Sequence, residues 1–141
     1  MNEVNEFSYL MKLNIIQGYL KVPKSKVNEY SPSKFHYRTC DDIMEALKPF
    51  LIEQKVIILM HDEIVKIENR FYVKSTAKFI CCETGKSIES YAYAREEESK
   101  KGMDSCQVTG TASSYARKYA LNALLGPRSV AWKPAPAWAQ A

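Results

Sequence analysis

An α+β fold, an antiparallel β-meander packed with helices, is what this sequence predicts, and three observations carry the prediction. Residues 71–79 and 88–95 alternate apolar and polar, the period of a half-buried strand. Residues 4–20 and 108–125 repeat their apolar positions at helical spacing. Between them, at Val56, the period changes from helical to extended. A chain of 141 residues suits one domain and can bury roughly two-thirds of its unfolded surface. With 46% hydrophobic and 26% charged residues it is neither disordered nor fibrous, and no apolar run approaches the ~20 residues of a membrane span. Its acidic, polar start is unlike a secretory signal, so a cytoplasmic protein is expected.

The first helix is placed on Phe7, Leu10, Met11, Leu13, Ile16 and Leu20, with Gly18 a weak spot near its end. Residues 21–34 hold four Lys against one Glu among Pro, Ser and Asn, and read as a basic surface loop. Thr39 followed by Asp42 has the pattern of a capping box. The helix it opens buries Ile43, Leu47, Phe50 and Leu51, and Pro49 should kink it or end it early. Val56–Met60, short, continuous and β-branched, reads as a buried strand. In the next strand Phe71, Val73, Ala77 and Phe79 face one way and Tyr72, Lys74, Thr76 and Lys78 the other. In the last strand Ile88, Ala92 and Ala94 oppose Glu89, Tyr91, Tyr93 and Arg95. Turns are expected at Asn69-Arg70 and Glu83-Thr84-Gly85, and a polar loop at 96–105. The final helix, about Val108 to Leu125, has Tyr115, Tyr119 and Asn122 on one side. Ala112, Ala116, Ala120, Ala123 and Leu124 mark an adjoining one, and Gly126-Pro127 is its stop signal. The expected division is a core over 1–126 and an irregular tail over 127–141.

Charge is unevenly placed. Residues 1–104 sum to zero, and the net +4 comes from Arg117, Lys118, Arg128 and Lys133, beyond Asp104. A positive C-terminal region points to a polyanionic partner. The four Cys, at 40, 81, 82 and 106, form no Cys-x-x-Cys pair and read as reduced, mostly buried thiols. His36 and Cys40 lack a second ligand pair. Ile80-Cys-Cys-Glu-Thr-Gly-Lys-Ser87 nearly matches a phosphate-binding loop. It lacks the first glycine and is followed by strand rather than helix, so a hairpin turn is the better reading. Asp41 or Asp42 with Glu53 and Lys55 has the composition of a metal-dependent nuclease set. The acids stand at opposite ends of one helix, about 16 Å apart at 1.5 Å per residue.

The residues best suited to a ligand are cations interleaved with tyrosines. Lys74, Lys78, Tyr91, Tyr93 and Arg95 share a strand face, where cations can neutralise phosphates and rings can stack on bases without reading sequence. Tyr115, Arg117 and Lys118 follow the small residues 109–114 at the start of the last helix. No acid lies three or four residues from Arg117 or Lys118, so at least one should reach solvent, a phosphate, or an acid from elsewhere such as Glu96, Glu97 or Glu98.

Five segments, in order, resemble the ERF (essential recombination function) family of phage single-strand annealing proteins. They are His36-Tyr-Arg-Thr-Cys-Asp-Asp-Ile-Met-Glu-Ala-Leu-Lys-Pro-Phe50, Arg70–Lys78, Tyr91–Glu96, Lys101–Asp104 and Gly110-Thr-Ala-Ser-Ser-Tyr-Ala-Arg-Lys-Tyr-Ala-Leu-Asn122. The last is the most specific. The resemblance implies a β-β-β-α annealing core that assembles as a homo-oligomeric ring or arc. It also implies binding of single-stranded DNA without sequence preference and annealing without ATP, a cofactor or an enzymatic step. A host single-strand-binding protein is a further candidate partner, and the host cytoplasm the expected location. Residues 127–141 depart from the family's acidic continuation, which fits a truncation with appended residues or a natural variant. The rival readings are the nuclease and a non-catalytic module whose basic face meets an acidic protein.

Overall fold

The structure, a computed structural model, describes residues 5–30, 32–96 and 105–129, with side chains from residue 110 onward in the last stretch. The elements run α1 (Ser8–Tyr19), β1 (Lys26–Val27), β2 (His36–Tyr37), α2 (Cys40–Gln54), β3 (Val56–Ile67), β4 (Arg70–Cys81), β5 (Ser87–Arg95) and α3 (Ser105–Leu125). The class is α+β. Strands β3, β4 and β5 form an antiparallel meander in that order, and β1 pairs with β2 in a separate two-stranded ribbon. The expected loop at 96–105 and the tail beyond Ser129 lie outside the described residues but for Glu96 and Ser105.

Side-chain alternation decides which sheet face the helices cover. Along the inner face the register sets Val56 against Cys81, Ile58 against Phe79, Met60 against Ala77 and Asp62 against Ser75. β5 adds Ile88, Ser90, Ala92 and Ala94 opposite Phe79, Ala77, Ser75 and Val73. Phe79, Ala77, Val73 and Ser75 are fully enclosed or nearly so. The C-terminal half of α3 buries Ala120, Leu121, Leu124 and Leu125 against Phe79, Ile16, Ile43 and Leu47, which joins all three helices to one end of the sheet. Its earlier turns place Ala112 and Ala116 on Val73 and Ala94. Small residues there let helix and sheet approach closely. Burial of large side chains such as Phe79, Leu47 and Leu121 stabilises by about 1.5–3 kcal/mol each.

The α2 N-terminus forms as expected. Thr39 Oγ1 accepts the Asp42 N–H at 3.1 Å and Asp42 Oδ2 accepts the Thr39 N–H at 2.9 Å. Gly126, at φ +53°, ends α3 in the left-handed region that glycine tolerates. The chain then returns to the core: the Arg128 N–H donates to Leu20 O at 3.0 Å and Arg128 O accepts the Val22 N–H at 2.7 Å.

Several expectations need correction. α2 runs five residues past Pro49, so the proline does not end it. In β3 the strand is twelve residues long and only one face is covered, leaving Ile57 and Leu59 about half exposed. The charged stretch His61-Asp-Glu masked its continuation. The first turn centres on Glu68 and Asn69, with Glu68 at φ +57°, and Arg70 already belongs to β4. On α1 only Leu13 and Ile16 reach the core. Phe7, Leu10 and Met11 stay exposed because nothing among the described residues covers that flank. Ala123 is exposed, Phe71 lies half exposed at the far end of the sheet, and the basic loop at 21–34 contains β1.

Candidate nucleic-acid interface

The eight cations and tyrosines picked from sequence fall on two opposite sides of the sheet. Lys74, Lys78, Tyr91, Tyr93 and Arg95 all project from the outer face, away from the helices, because they occupy the alternate positions of β4 and β5. The register sets Lys74 opposite Tyr93, and Lys78 opposite Glu89. The Lys74 ammonium lies 4.6 Å from the Tyr91 ring centre and 5.9 Å from that of Tyr93, which meet edge to face. Glu63 on β3 faces the same ammonium at 3.7 Å. This surface is open and partly neutralised.

Tyr115, Arg117 and Lys118 lie on α3, on the helix side of the sheet. There α3 borders the β1–β2 ribbon and the N-terminus of α2, and three adjoining pockets of about 270, 220 and 390 Å³ make a groove between them. Lys118 belongs to the first two pockets and Ser114 to the second and third. The groove adds Lys24, Lys26, Tyr37 and Arg38, none of which the sequence alone marked as ligand-facing. The basic composition of 21–34 was the available signal, but only the ribbon brings those cations beside α3.

At one end of the groove charges are matched. Arg117 Nε donates to Asp62 Oδ2 at 3.0 Å and to Oδ1 at 3.2 Å. Asp62 also accepts the hydroxyls of Ser75 at 2.6 Å and Ser113 at 2.5 Å. Burial works to raise the Asp62 titration, but the Ser113 and Ser75 hydroxyls and the Arg117 charge outweigh it and hold it below the ordinary carboxyl value. The acid that meets Arg117 therefore comes from β3, not from the acidic run near 96–98; Glu97 and Glu98 lie outside the described residues. With Nε engaged and the side chain 44% exposed, the terminal guanidinium nitrogens have no partner among the described residues. Lys26 approaches Asp42 at 3.7 Å. Asp42 is held below its ordinary range chiefly by the Thr39 backbone N–H.

At the other end charges are unmatched. The Lys118 ammonium stands 5.1, 5.2 and 5.9 Å from the rings of Tyr115, Tyr119 and Tyr37. No carboxylate forms an ion pair with it among the described residues. Burial first, then the charges of Arg38 and Lys24, push its titration below the ordinary lysine value.

The nuclease arrangement is not assembled. Asp42 is spent on the cap, Glu53 lies near the far end of the same helix, and Lys55 is the left-handed C-cap residue. Among the described residues no group of three His, Cys, Asp or Glu side chains could hold a metal ion. The Gly85 segment is a hairpin turn leading into β5, with Gly85 at φ +72°. No helix among the described residues is long and apolar enough to cross a membrane.

A family model described as the ERF superfamily matches residues 9–129. The chain is also similar to the essential recombination function protein of Salmonella phage P22, at 48% identity over 118 residues. That alignment covers 84% of this chain and 55% of the relative, so the chain spans about half the relative's length. No solved structure matches the chain. The family match spans the meander, the groove and α3 together, and the chain belongs to the ERF superfamily.

Proposed function

We propose that this chain acts in phage recombination by binding single-stranded DNA and promoting annealing of complementary strands without ATP. The observation that carries the reading is the pairing of ammonium groups with tyrosine rings, Lys74 with Tyr91 and Lys118 with Tyr115. Cations neutralise phosphates, and rings stack on any base, so the combination binds a strand without reading its sequence. Family membership and the recombination function named for the phage P22 relative support the same reading.

The mechanism is geometric. Lys118 and the free end of Arg117 hold phosphates of a strand in the groove, and Lys74, Lys78 and Arg95, on the opposite sheet face, hold those of a separate stretch of strand. Tyr91, Tyr93 and Tyr115 limit self-pairing by stacking. Base pairing supplies the free energy, and the protein lowers the barrier by extending the strand and screening its charge. The outer edges of β3 and β5 have no strand neighbour among the described residues, and Phe7, Leu10 and Met11 of α1 are exposed. Both features suit assembly of a homo-oligomer, since open edges and uncovered apolar flanks favour contact with another chain. Incubation with labelled complementary strands and magnesium, without ATP, tests the reading. Duplex formation is expected. Shortened strands would return the nuclease, and absence of strand binding would leave a protein-interaction module.

A further inference from the structure

One pocket of the groove joins Lys118 to residues that the sequence did not mark. It measures about 270 Å³, and its lining includes Lys24, His36, Arg38, Lys118 and Asn122. Arg38 is only 9% exposed. Its Nε donates to Val22 O at 3.0 Å and its Nη2 to the Ser129 hydroxyl at 2.7 Å, both neutral acceptors. No carboxylate lies within ion-pair distance of Arg38, Lys24 or Lys118 among the described residues. Enclosing a cation without a counter-charge is costly, and setting two more cations beside it adds repulsion. Such an arrangement is stabilised when an anion enters. Asn122 also lines the pocket; its Oδ1, an acceptor, is buried with no hydrogen-bond partner among the described residues.

We propose that this pocket is a phosphate site that holds one phosphate group of a nucleic-acid strand per subunit. Arg38 forms its floor, and Lys24 and Lys118 stand at its mouth. The inference rests on the single-strand reading above and sharpens it, because it puts one phosphate in a partly enclosed, positively charged site rather than along an open face. Charge-assisted hydrogen bonds are stronger there than in open water. The Val22 and Ser129 acceptors fix the guanidinium, and the three tyrosines around Lys118 keep its ammonium at the mouth. The phosphate can be an internal phosphodiester or a strand's terminal phosphate; the donors suit both.

Two measurements on the full chain test this. In thermal melts, inorganic phosphate should raise the melting temperature of the parent above that in chloride of equal ionic strength. Lys118→Met should melt no lower than the parent in chloride, since a repelled cation is removed, and should lose the phosphate response. In binding assays with oligothymidylate, Lys118→Met should lose about tenfold in affinity and flatten the salt slope by about 0.7, the share of one phosphate. Equal loss with and without a 5′-phosphate assigns the site to an internal phosphodiester; loss confined to the phosphorylated oligomer assigns it to the strand end. A parent that phosphate stabilises no more than chloride does overturns the pocket. So does a Lys118→Met variant that binds oligomer with the parent's affinity and slope, although strand binding itself then stands. Phosphate stabilisation without strand binding would keep the pocket and refute the single-strand reading.

Discussion

The outer sheet face and the α3 groove both combine lysines with tyrosines, yet their electrostatics differ. On the sheet face Lys74, 26% exposed, has Glu63 at 3.7 Å and Lys78 sits opposite Glu89. In the groove Arg38 is buried and Lys118 partly buried, with no carboxylate beside either among the described residues. Three cations stand on the sheet face and five line the groove. Counter-charge and the burial of Arg38 separate the two surfaces, because a matched charge is neutralised by its partner while an enclosed, unmatched one retains its field. The groove is therefore the stronger claimant for a phosphate.

Charge reversal should break or uphold that comparison with the largest effect. Lys118→Glu is expected to weaken single-strand binding by about a hundredfold, since it both removes a phosphate contact and introduces a repelling group. Lys74→Glu should cost about tenfold or less. Titration of each variant against a fluorescent oligomer decides it, and a larger loss for Lys74→Glu would move the principal site to the sheet.

Asp62→Asn sharpens the matched end of the groove. It removes the charge that holds Arg117 Nε and weakens the bonds from Ser75 and Ser113, so stability should fall by about 1–2 kcal/mol, moderated by the exposure of Arg117. Urea unfolding measures this. The sign with pH follows from the depressed titration of Asp62 in the folded chain. Its contribution is fully present above the ordinary carboxyl value of 3.8 and disappears as pH falls through the lower folded value. The parent should lose more stability than the variant over that acid range.

A smaller effect is expected from Thr39→Ala, which removes the side-chain half of the capping box at the wall of the groove. About 1 kcal/mol of stability should go, with strand affinity falling no more than a few-fold. Tyr91→Ala tests the sheet face more gently: about a twofold to fivefold loss is expected for an exposed ring beside an ammonium. Lys86→Ala, on the hairpin turn away from both surfaces, should bind as the parent does.

Much of this architecture was legible in the residues. Alternation in β4 and β5 separated inner from outer side chains correctly, since a period of two leaves no freedom about which face a strand residue takes. Thr39 and Asp42 announced the start of α2, and Gly126-Pro127 the end of α3, because capping is local chemistry within a few residues. The motif around Arg117 and Lys118 was visible as a run of small residues followed by cations. What remained hidden was long-range. Asp62 looked like one charge in a polar stretch, and its bond to Arg117 spans 55 positions of sequence. Arg38 lay within a segment chosen for family resemblance, with nothing local to show that it is buried.

Sequence alone determined the order of the three helices and the three meander strands, though not the β1–β2 ribbon, and the two faces of the meander. Those properties depend on periodicity and on side-chain chemistry, which are written residue by residue. The tertiary structure alone decided that the eight cations and tyrosines divide between opposite sides of the sheet, that Arg117 meets an acid, and that Lys24, Arg38 and Lys118 converge where no acid among the described residues meets them. The physical reason is that counter-charge and desolvation are properties of neighbourhoods. A neighbourhood made by a ribbon, a helix start and a final helix exists only once the apolar side of α3 has packed onto the sheet.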